Sequence, residues 1–331
     1  MQLVMHKLLK AAAFAVSGIA INAPVHAQAQ TTWPGSSTIK VVVPFTAGGA
    51  SDVLTRLLSE RLQGKLGGSW VIDNKTGAGG NIGMEIVKNS VPDGATIGSA
   101  TIGTLSINQY LFSKLSYDPV RDYEYVSKIW ENCNVLVVSP KNPAHNVKEF
   151  LDWAKQQPKG VSFGSAGVGT TPHLAGEMFR TRTGIQALHI PYRGAAQSMP
   201  ALMTGETDFA IDNIASYTPL IKANKVRALA VTCPERWPTM PDVPTMSEAG
   251  VKDFVVTSWG AFVLPKGVPQ PIVNKLAAAI AELAKDPALR EKYLETGAIL
   301  KPTTPKETAE FAEQERTKWK EVVRVSGAKL D

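Results

Sequence analysis

The chain has 331 residues, and its 35 Lys and Arg against 29 Asp and Glu give a formal net charge of +6. This mild excess lacks the long basic runs that electrostatic nucleic-acid binding needs, so nucleic acid is excluded as a partner. The chain has two cysteines, too few for a structural zinc site of the usual thiolate kind, and we predict no metal and no cofactor.

The first residues have the pattern of a secretory signal peptide. Lys7 and Lys10 precede the uncharged apolar stretch Ala11–Ile21, and Val25–Ala27 ends in the small residue that a signal peptidase reads. The apolar stretch is shorter than the roughly 20 residues of a membrane span. We therefore predict a cleaved signal peptide over residues 1–27 and an exported, periplasmic protein, with an uncleaved interfacial anchor as the alternative. Cleavage removes two lysines and leaves a charge of about +4, which suits a protein that binds small anions.

Strands and helices alternate along the chain, with glycine-rich turns between them. Residues 39–45 (IKVVVPF) predict a buried strand, and TAGGASD leads into a helix with Ser51 as its N-cap and Asp52 in its first turn. Further strands are predicted at 70–74, 96–101, 135–138, 160–165, 187–191, 208–211 and 227–231, with helices at 82–88, from 147 and at 173–180. Prolines open three C-terminal helices at 271–284, 287–295 and 305–325.

This alternation predicts an α/β fold with largely parallel sheets. About 300 residues remain after processing, more than one core usually serves, so two domains are expected. No long linker separates them, which favours crossing strands and discontinuous domains. We predict residues 28–128 with 254–331 as the first domain and 129–253 as the second.

The glycine turns do not match the sequence motifs of several known catalytic and nucleotide-binding sites. The glycine turn at 77–83 has Ile82 where a dinucleotide-binding fingerprint needs its third glycine, and no glycine turn ends in the Gly-Lys-Ser/Thr of a phosphate-binding loop. Phe163 replaces the first glycine of a nucleophile elbow around Ser165. A serine hydrolase with a Ser165–His173–Asp212 triad stays open as an alternative.

The glycine turns themselves predict an anion site. Each follows a strand and precedes a helix, so in a parallel sheet they lie at the carboxyl edge, where ligands bind. Free amide groups at a helix N-terminus bind an anion without needing arginine, and Thr170 and Thr171 add hydroxyl donors. We interpret this as a site that grips a carboxylate without reacting with it; the turns could also serve only as tight connections.

Six segments together resemble the receptors of tripartite tricarboxylate transporters, also called the Bordetella uptake gene family. They are VPFTAGGASD (43–52), NKTGAGGNIG (74–83), YDPVRDYEYVS (117–127), GVGTTPHLAGEMF (167–179), HIPYRGAAQSMPALMTGETDFAIDN (189–213) and RALAVTCPERWPTMPDVPTMSEAG (227–250). The resemblance implies a two-domain periplasmic binding protein of type II-like fold, with crossing strands as hinge and a ligand cleft between the domains. It also implies a receptor, not an enzyme, that hands a small organic carboxylate to membrane permease subunits.

Carried over by position, the resemblance implies a wall from the first domain and a facing wall from the second. The first wall would use Phe45, Ala47, Gly48, Gly49, Ser51, Asp52, Gly79, Gly80, Asn81 and Thr101; the second would use Ser165, Gly167, Gly169, Thr170, Thr171, His173, Tyr192, Arg193 and Asp212. Phe45 is expected to cover the ligand body and Arg193 to pair with a distal carboxylate. Asp212 and Asn213 are expected to face the cleft, where Asp212 could receive an ammonium group, order water or repel a second carboxylate.

The resemblance also implies that Cys133 and Cys233 could meet near the hinge, where a disulfide would suit an exported protein; free buried cysteines are the alternative. We expect the ligand to be a dicarboxylate or an aromatic acid, with Phe45, Tyr192 or Trp259 available for stacking. We expect a monomer. A receptor for amino acids, or one that serves a signalling sensor, remains open.

Overall fold

A computed structural model of the protein describes residues 33–326, so the predicted signal peptide over residues 1–27 lies outside the described residues. The strands are β1 (Thr38–Val43), β2 (Ser69–Asn74), β3 (Thr96–Thr101), β4 (Tyr123–Val138), β5 (Val161–Ser165), β6 (Ala187–Pro191), β7 (Phe209–Asn213), β8 (Arg227–Val231) and β9 (Thr257–Pro265). The helices are α1 (Ala50–Leu66), α2 (Asn81–Lys88), α3 (Asn108–Leu111), α4 (Val147–Lys155), α5 (Thr171–Thr183), α6 (Ala195–Thr204), α7 (Ile214–Lys222), α8 (Gln270–Leu283), α9 (Pro287–Thr296) and α10 (Pro305–Ser326). Within this range no helix has the length and apolar character to cross a membrane.

One continuous sheet runs through the described residues in the order β2-β1-β3-β9-β4-β7-β5-β6, with β8 paired to β4. Strand β4 connects its two halves because it changes partners along its length. Its residues up to Cys133 pair antiparallel with β9, and those from Asn134 onward pair with β7 and β8. The two outer groups, β1 to β3 and β5 to β7, are parallel, as expected of strands joined by helical crossovers.

Helices cover the first half of the sheet on both faces. On one face Leu54, Leu58 and Leu62 of α1 are fully buried against α8, α9 and β4. Their spacing of four residues places them on one side of the helix, and each contributes roughly 1.5–3 kcal/mol by its burial. On the opposite face α2 and α10 pack over β3 and β9, with Trp259 and Trp319 in that core.

The second half repeats this layering around its own core. Helices α4 and α5 pack on one face through Phe150, Phe163, Phe179 and Phe209, whose rings contact one another. The other face is covered by α6 and α7. The predicted α/β class, with parallel strands in each half and a strand that joins the halves, is therefore confirmed. The residue boundaries of the two domains remain a prediction.

Three features differ from the sequence analysis. Strand β4 is 16 residues long, whereas alternation identified only its last four, because its first part is aromatic and charged yet buried. Strand β9 and helices α6 and α7 were not predicted; α6 and α7 contain Pro200 and Pro219, which weaken a helical pattern. The predicted N-cap Ser51 was wrong: α1 begins at Ala50 with Gly49 as its N-cap, two residues earlier than predicted.

A disulfide joins Cys133 and Cys233, with their Cα atoms 5.4 Å apart. Cys133 lies where β4 changes partners, and Cys233 follows β8, which pairs with β4 through Val135 and Val231. The bond therefore fixes the segment after β8 to the strand that connects both halves of the sheet. It closes a loop spanning a sequence separation of 100 residues.

We expect loss of this disulfide to lower the free energy of unfolding by about 2–5 kcal/mol, because cross-linking a long loop restricts the unfolded chain. Urea unfolding with and without a phosphine reductant measures the loss. A protein with Cys133→Ser and Cys233→Ser is the control, since its midpoint should not respond to the reductant. A wild-type midpoint unchanged after thiol titration has registered both freed cysteines would contradict the expectation.

Candidate functional site

Two helix N-termini define the candidate site. Helix α1 follows the turn after β1, and α5 follows the turn after β5, so both begin at the carboxyl ends of parallel strands. Their N-cap residues are Gly49 and Thr170, and neither makes a side-chain hydrogen bond to its own first turn. The Thr170 hydroxyl instead donates to the Gly167 carbonyl at 2.6 Å. The Ala50 amide donates to the Ser216 hydroxyl oxygen at 3.0 Å, and Pro172 has no amide hydrogen. The other first-turn amides, those of Ser51 and Asp52 in α1 and of Thr171 and His173 in α5, are available to an anion.

A small cavity of about 40 Å³, called here the inner cavity, lies between these helix starts. Its lining comes from α1, α5, α6, α7, β3, β4, β7, β9 and the turns beside them: Phe45, Gly49, Ala50, Ser51, Thr101, Ile102, Gly103, Trp130, Ala166, Thr170, Thr171, Pro172, Ala195, Asp212, Asn213, Ser216 and Ser258. Asp212 is the one ionisable side chain in this lining.

A larger cavity of about 250 Å³, the outer cavity, adjoins the first. It is lined by Phe45, Gly77, Ala78, Gly79, Gly80, Phe112, Ala166, Gly167, Val168, Pro191, Tyr192 and Arg193. Phe45 and Ala166 line both cavities, so the inner and outer spaces meet at these two residues. Arg193 is exposed and is the only cationic side chain in the described lining.

The two walls of the site are in contact above these cavities. A Cβ atom added to Gly79, in the turn after β2, would lie 2.3 Å from the carbonyl oxygen of Val168 in the turn after β5. A Cβ on Gly194 would lie 2.1 Å from the Thr46 hydroxyl oxygen. Glycine at both positions is therefore what allows the backbones to approach this closely.

The turn after β1 is held from behind by Asp52. Its carboxylate accepts a hydrogen bond from the Gly48 amide at 2.9 Å and forms an ion pair with Arg56 at 2.9 Å. The Asn74 amide group donates both to Asp52 and to the Phe45 carbonyl. Asp52 therefore orients this turn and lies outside the lining of either cavity.

The turn after β2 is held in a similar way by Asn81. Its side-chain oxygen accepts from the Asn108 amide group at 2.6 Å and from the Tyr117 hydroxyl at 3.0 Å. Asn108 also donates to the Gly79 carbonyl. Burial raises the pKa of Tyr117 far above its ordinary value, so the hydroxyl stays protonated and remains a donor.

The turn after β5 rests on Ser165 and two histidines. The Ser165 oxygen accepts from the Gly167 amide at 3.1 Å and contacts Nε2 of His189 at 2.7 Å. The ring of His189 stacks on His173, with centroids 4.3 Å apart, and His173 Nδ1 accepts from the Gly169 amide at 3.4 Å. Burial lowers the pKa of both histidines, that of His189 to about 3, so both rings are neutral near pH 7.

These contacts overturn the Ser165–His173–Asp212 triad. The imidazole beside Ser165 belongs to His189, and Ser165 is fully buried and lines neither cavity. Its bonds position a turn and leave no accessible nucleophile.

Asp212 lies at the end of β7 and is completely buried. One of its oxygens, Oδ1, accepts hydrogen bonds from the backbone amide and the side chain of Asn213. The other, Oδ2, has no hydrogen-bond partner among residues 33–326. Burial raises the pKa of Asp212 to about 6, although the bonds from Asn213 act to lower it.

The polar groups of the outer cavity are arranged differently. The Tyr192 hydroxyl donates to Glu206 at 2.8 Å, and burial and this carboxylate raise the pKa of Tyr192 to about 12. The Tyr192 ring is therefore held in place as an apolar wall. The Arg193 guanidinium forms no ion pair with another of the described residues.

The structure brings together twelve of the predicted site residues in the two linings: Phe45, Gly49, Ser51, Gly79, Gly80, Thr101, Gly167, Thr170, Thr171, Tyr192, Arg193 and Asp212. Seven lie outside both linings: Ala47, Gly48, Asp52, Asn81, Ser165, Gly169 and His173. Trp259, suggested for stacking, is buried against Phe311 in the core. Trp130, Ser216 and Ser258, which lie in β4, α7 and β9, were not identified from the sequence. Of these, only Ser216 could have been identified from the sequence, because it follows shortly after Asp212.

A joined pair of α/β halves, with glycine turns and helix starts meeting at the carboxyl edges of their parallel strands, is the architecture of a solute-binding protein. Residues 54–328 match the tripartite tricarboxylate transporter family receptor, and the chain belongs to this family. The resemblance noted in the sequence is thereby confirmed.

Relatives match over nearly the whole length of the chain. The protein BugT of Bordetella pertussis is 33% identical over 327 residues, which is 98% of this chain and 99% of BugT. The structure of Rpa4515 from R. palustris with adipate is 34% identical with a TM-score of 0.87, covering 90% of this chain and 100% of that one. The structure of MatC from Rhodopseudomonas palustris with bound malate is 30% identical with a TM-score of 0.82, covering 87% and 99%.

We expect Gly79→Ala to destabilise the protein more than Gly48→Ala. Both glycines have positive φ, +62° and +84°, so alanine carries a similar backbone penalty of about 1 kcal/mol at each. A Cβ at Gly48 meets nothing within 4 Å, whereas at Gly79 it meets the Val168 carbonyl. Overpacking there should cost roughly a further 1–3 kcal/mol. Urea unfolding of both variants measures the difference, and equal losses would show that the two turns separate freely.

Proposed function

We propose that this protein is a periplasmic receptor that captures a small organic dicarboxylate and delivers it to the membrane permease of a tripartite transporter. The observation that carries the proposal is the position of the inner cavity between the N-termini of α1 and α5. Both helix starts present amide groups and the positive end of a helix dipole to the same small space. The bound adipate and malate of Rpa4515 and MatC support a dicarboxylate, since both molecules carry two carboxylates.

In this proposal the first carboxylate enters the inner cavity. The buried hydroxyl of Thr171 and the first-turn amides donate to it, and Ser51 contributes from the facing helix. The aliphatic or aromatic body lies in the outer cavity beside Phe45, Phe112 and Tyr192. These three rings are the specific reason to keep an aromatic dicarboxylate as the second candidate.

The second carboxylate is assigned to Arg193. This guanidinium lies at the exposed side of the outer cavity, and no acidic residue lines that space. A planar guanidinium binds a carboxylate through two parallel hydrogen bonds. With one carboxylate at the helix N-termini and the other at Arg193, the protein then binds a dicarboxylate more tightly than a monocarboxylate of the same length.

Closure over the ligand is proposed to move residues 28–128 with 254–331 against residues 129–253, as a monomer. The partner change within β4 supports a hinge near Cys133. We propose no enzymatic activity, because Ser165, the residue of the hydrolase alternative, is buried behind its turn. A receptor that binds a signalling sensor instead of a permease would present the same ligand-bound, closed conformation to it.

The proposal is tested by thermal shift after refolding to remove carried ligand. We expect adipate or malate to raise the Tm by a few degrees, because a ligand at about 100 times its Kd stabilises the folded state by roughly 2.7 kcal/mol. The dimethyl esters should have no effect, since they lack the charge that the helix starts bind. Terephthalate tests the aromatic candidate. A panel without any carboxylate-dependent shift would overturn the proposed function.

Thr171→Val should weaken binding of the stabilising carboxylate about 10- to 100-fold, because a hydrogen bond to a charged group contributes roughly 1.5–3 kcal/mol. Valine keeps the shape of the buried side chain and removes only the hydroxyl. Calorimetric titration measures the Kd. Thr181→Val is the matched control on the exposed end of the same helix and should bind as the wild type does. Equal affinities for both variants would remove Thr171 from the site.

Arg193→Gln should weaken adipate binding about 3- to 10-fold and leave hexanoate binding unchanged, because hexanoate has the same chain length but one carboxylate. The modest size follows from the solvent exposure of Arg193. Arg182→Gln, an exposed arginine whose guanidinium donates to the Lys252 carbonyl, is the control. An equal loss for adipate and hexanoate would contradict the assignment of the second carboxylate.

A further inference from the structure

The inner cavity contains a buried acidic oxygen that the carboxylate grip does not explain. Asp212 is completely buried, and its Oδ2 lacks a donor among residues 33–326 while Oδ1 is bound by Asn213. Leaving a buried carboxylate oxygen without a hydrogen bond is unfavourable. The side-chain oxygen of Asn213, in the same lining, also lacks a partner in this part of the chain.

The surroundings of Asp212 supply no positive charge. The paired residues of β4 and β5 are neutral, at 134–136 and 163–165, and helix α6 has no titratable residue. From α7 comes Tyr217, whose pKa is raised by burial and then by Asp212 itself. From α5 comes His173, whose pKa is lowered by burial, and the acid of α1, Asp52, is paired with Arg56.

The same space borders the two helix N-termini that attract an anion. A volume of about 40 Å³ has room for roughly three water-sized groups, which is the size of one carboxylate. A carboxylate held by the free first-turn amides of α1 and α5 therefore shares this cavity with the side chain of Asp212. Two carboxylates in contact cannot both be ionised in a buried site, and they share one proton.

We infer that the bound carboxylate and Asp212 share one proton, so that the receptor takes up its ligand together with a proton from solvent. The proton resides on Asp212 Oδ2, which then donates a hydrogen bond to an oxygen of the ligand carboxylate. This satisfies the buried oxygen and removes the repulsion in a single step. The inference rests on the proposed function and adds to it a residue that couples affinity to pH.

The pH range in which affinity changes follows from the pKa of Asp212 in the ligand-free protein. Burial has already raised the pKa of Asp212 to about 6, so protonation near neutral pH needs little additional driving force. A neighbouring ligand carboxylate raises it further. This order of pKa values determines how affinity depends on pH. Below about pH 6 Asp212 is protonated with and without ligand, so the affinity for the carboxylate is constant. Above that pH the affinity falls as the pH rises, until the pH exceeds the pKa of Asp212 in the complex.

The test is calorimetric titration of the wild-type protein with adipate between pH 6.5 and 8.5, a range in which adipate itself stays ionised because carboxylic acids titrate near pH 4. We expect Kd to rise by up to tenfold per pH unit, with uptake of up to one proton per ligand. Proton uptake is read directly from the difference in heat between phosphate and Tris buffers. Hexanoate should give the same uptake, because it places its carboxylate in the same cavity.

Asp212→Asn should bind with a Kd that does not depend on pH and without proton uptake, since its amide donates permanently. Asp208→Asn is the matched control, an acid just before the same strand whose carboxylate binds Ser162 and lies outside the cavities; it should keep the wild-type slope. If Asp212→Asn fails to fold, proton uptake by the wild type still decides the question.

Each other result overturns the inference. Binding of adipate without proton uptake would show that Asp212 stays ionised and away from the ligand. Proton release, or affinity that rises with pH, would show that Asp212 receives a cationic group, as an amino acid would provide. Absence of any carboxylate binding would instead remove the proposed function, and the inference with it.

Discussion

A site that binds an anion through backbone amides works only if its flexible glycine turns are held in one conformation. The other features of the candidate site depend on this constraint. Glycine lets two backbones approach but contributes no side chain to fix the turn. In this protein each of the three turns is fixed by a buried polar group behind it: Asp52 behind the first, Asn81 behind the second and Ser165 behind the third. Each of these groups donates to or accepts from the backbone of its turn, directly or through one neighbour. The amide groups at the helix starts are therefore oriented before any ligand arrives, which reduces the entropy lost on binding.

The same arrangement explains which parts of the site the sequence predicted. Strand, glycine turn and helix follow one another in a pattern that has one structural solution at the carboxyl edge of a parallel sheet. Gly49, Gly79 and Thr170 could be located by that rule alone. For a polar side chain beside such a turn, the rule does not say whether it faces the ligand or the core. Asp52 and His173 were named as candidate ligand-binding residues, with a structural cap as the alternative for His173; in the structure each is hydrogen-bonded to the backbone of its turn.

Residues contributed by distant segments were beyond the reach of local patterns. Trp130 and Ser258 enter the inner cavity because β4 and β9 pair across the middle of the sheet, and that pairing joins segments more than 100 residues apart. The signal for β9 was weak because its residues are buried on both faces and show no alternation. The proximity of Cys133 to Cys233 has the same origin, since it depends on β8 pairing with the far half of β4.

Specificity in this architecture divides between two environments with different freedom to change. The polar lining of the inner cavity consists of backbone groups, buried hydroxyls, the Asn213 amide and Asp212, which lie within the packing between α1, α5 and β7. A substitution there disturbs the fold along with the site, so the carboxylate binding proposed for this cavity is tied to the architecture. The outer cavity is lined by the half-buried rings of Phe112 and Tyr192 and by the exposed side chain of Arg193. A substitution at these positions removes less buried surface than one in the inner cavity, and the proposed function assigns the body and distal group of the ligand to them. A receptor built in this way can acquire a new ligand by changes at the outer cavity while retaining the same first contact.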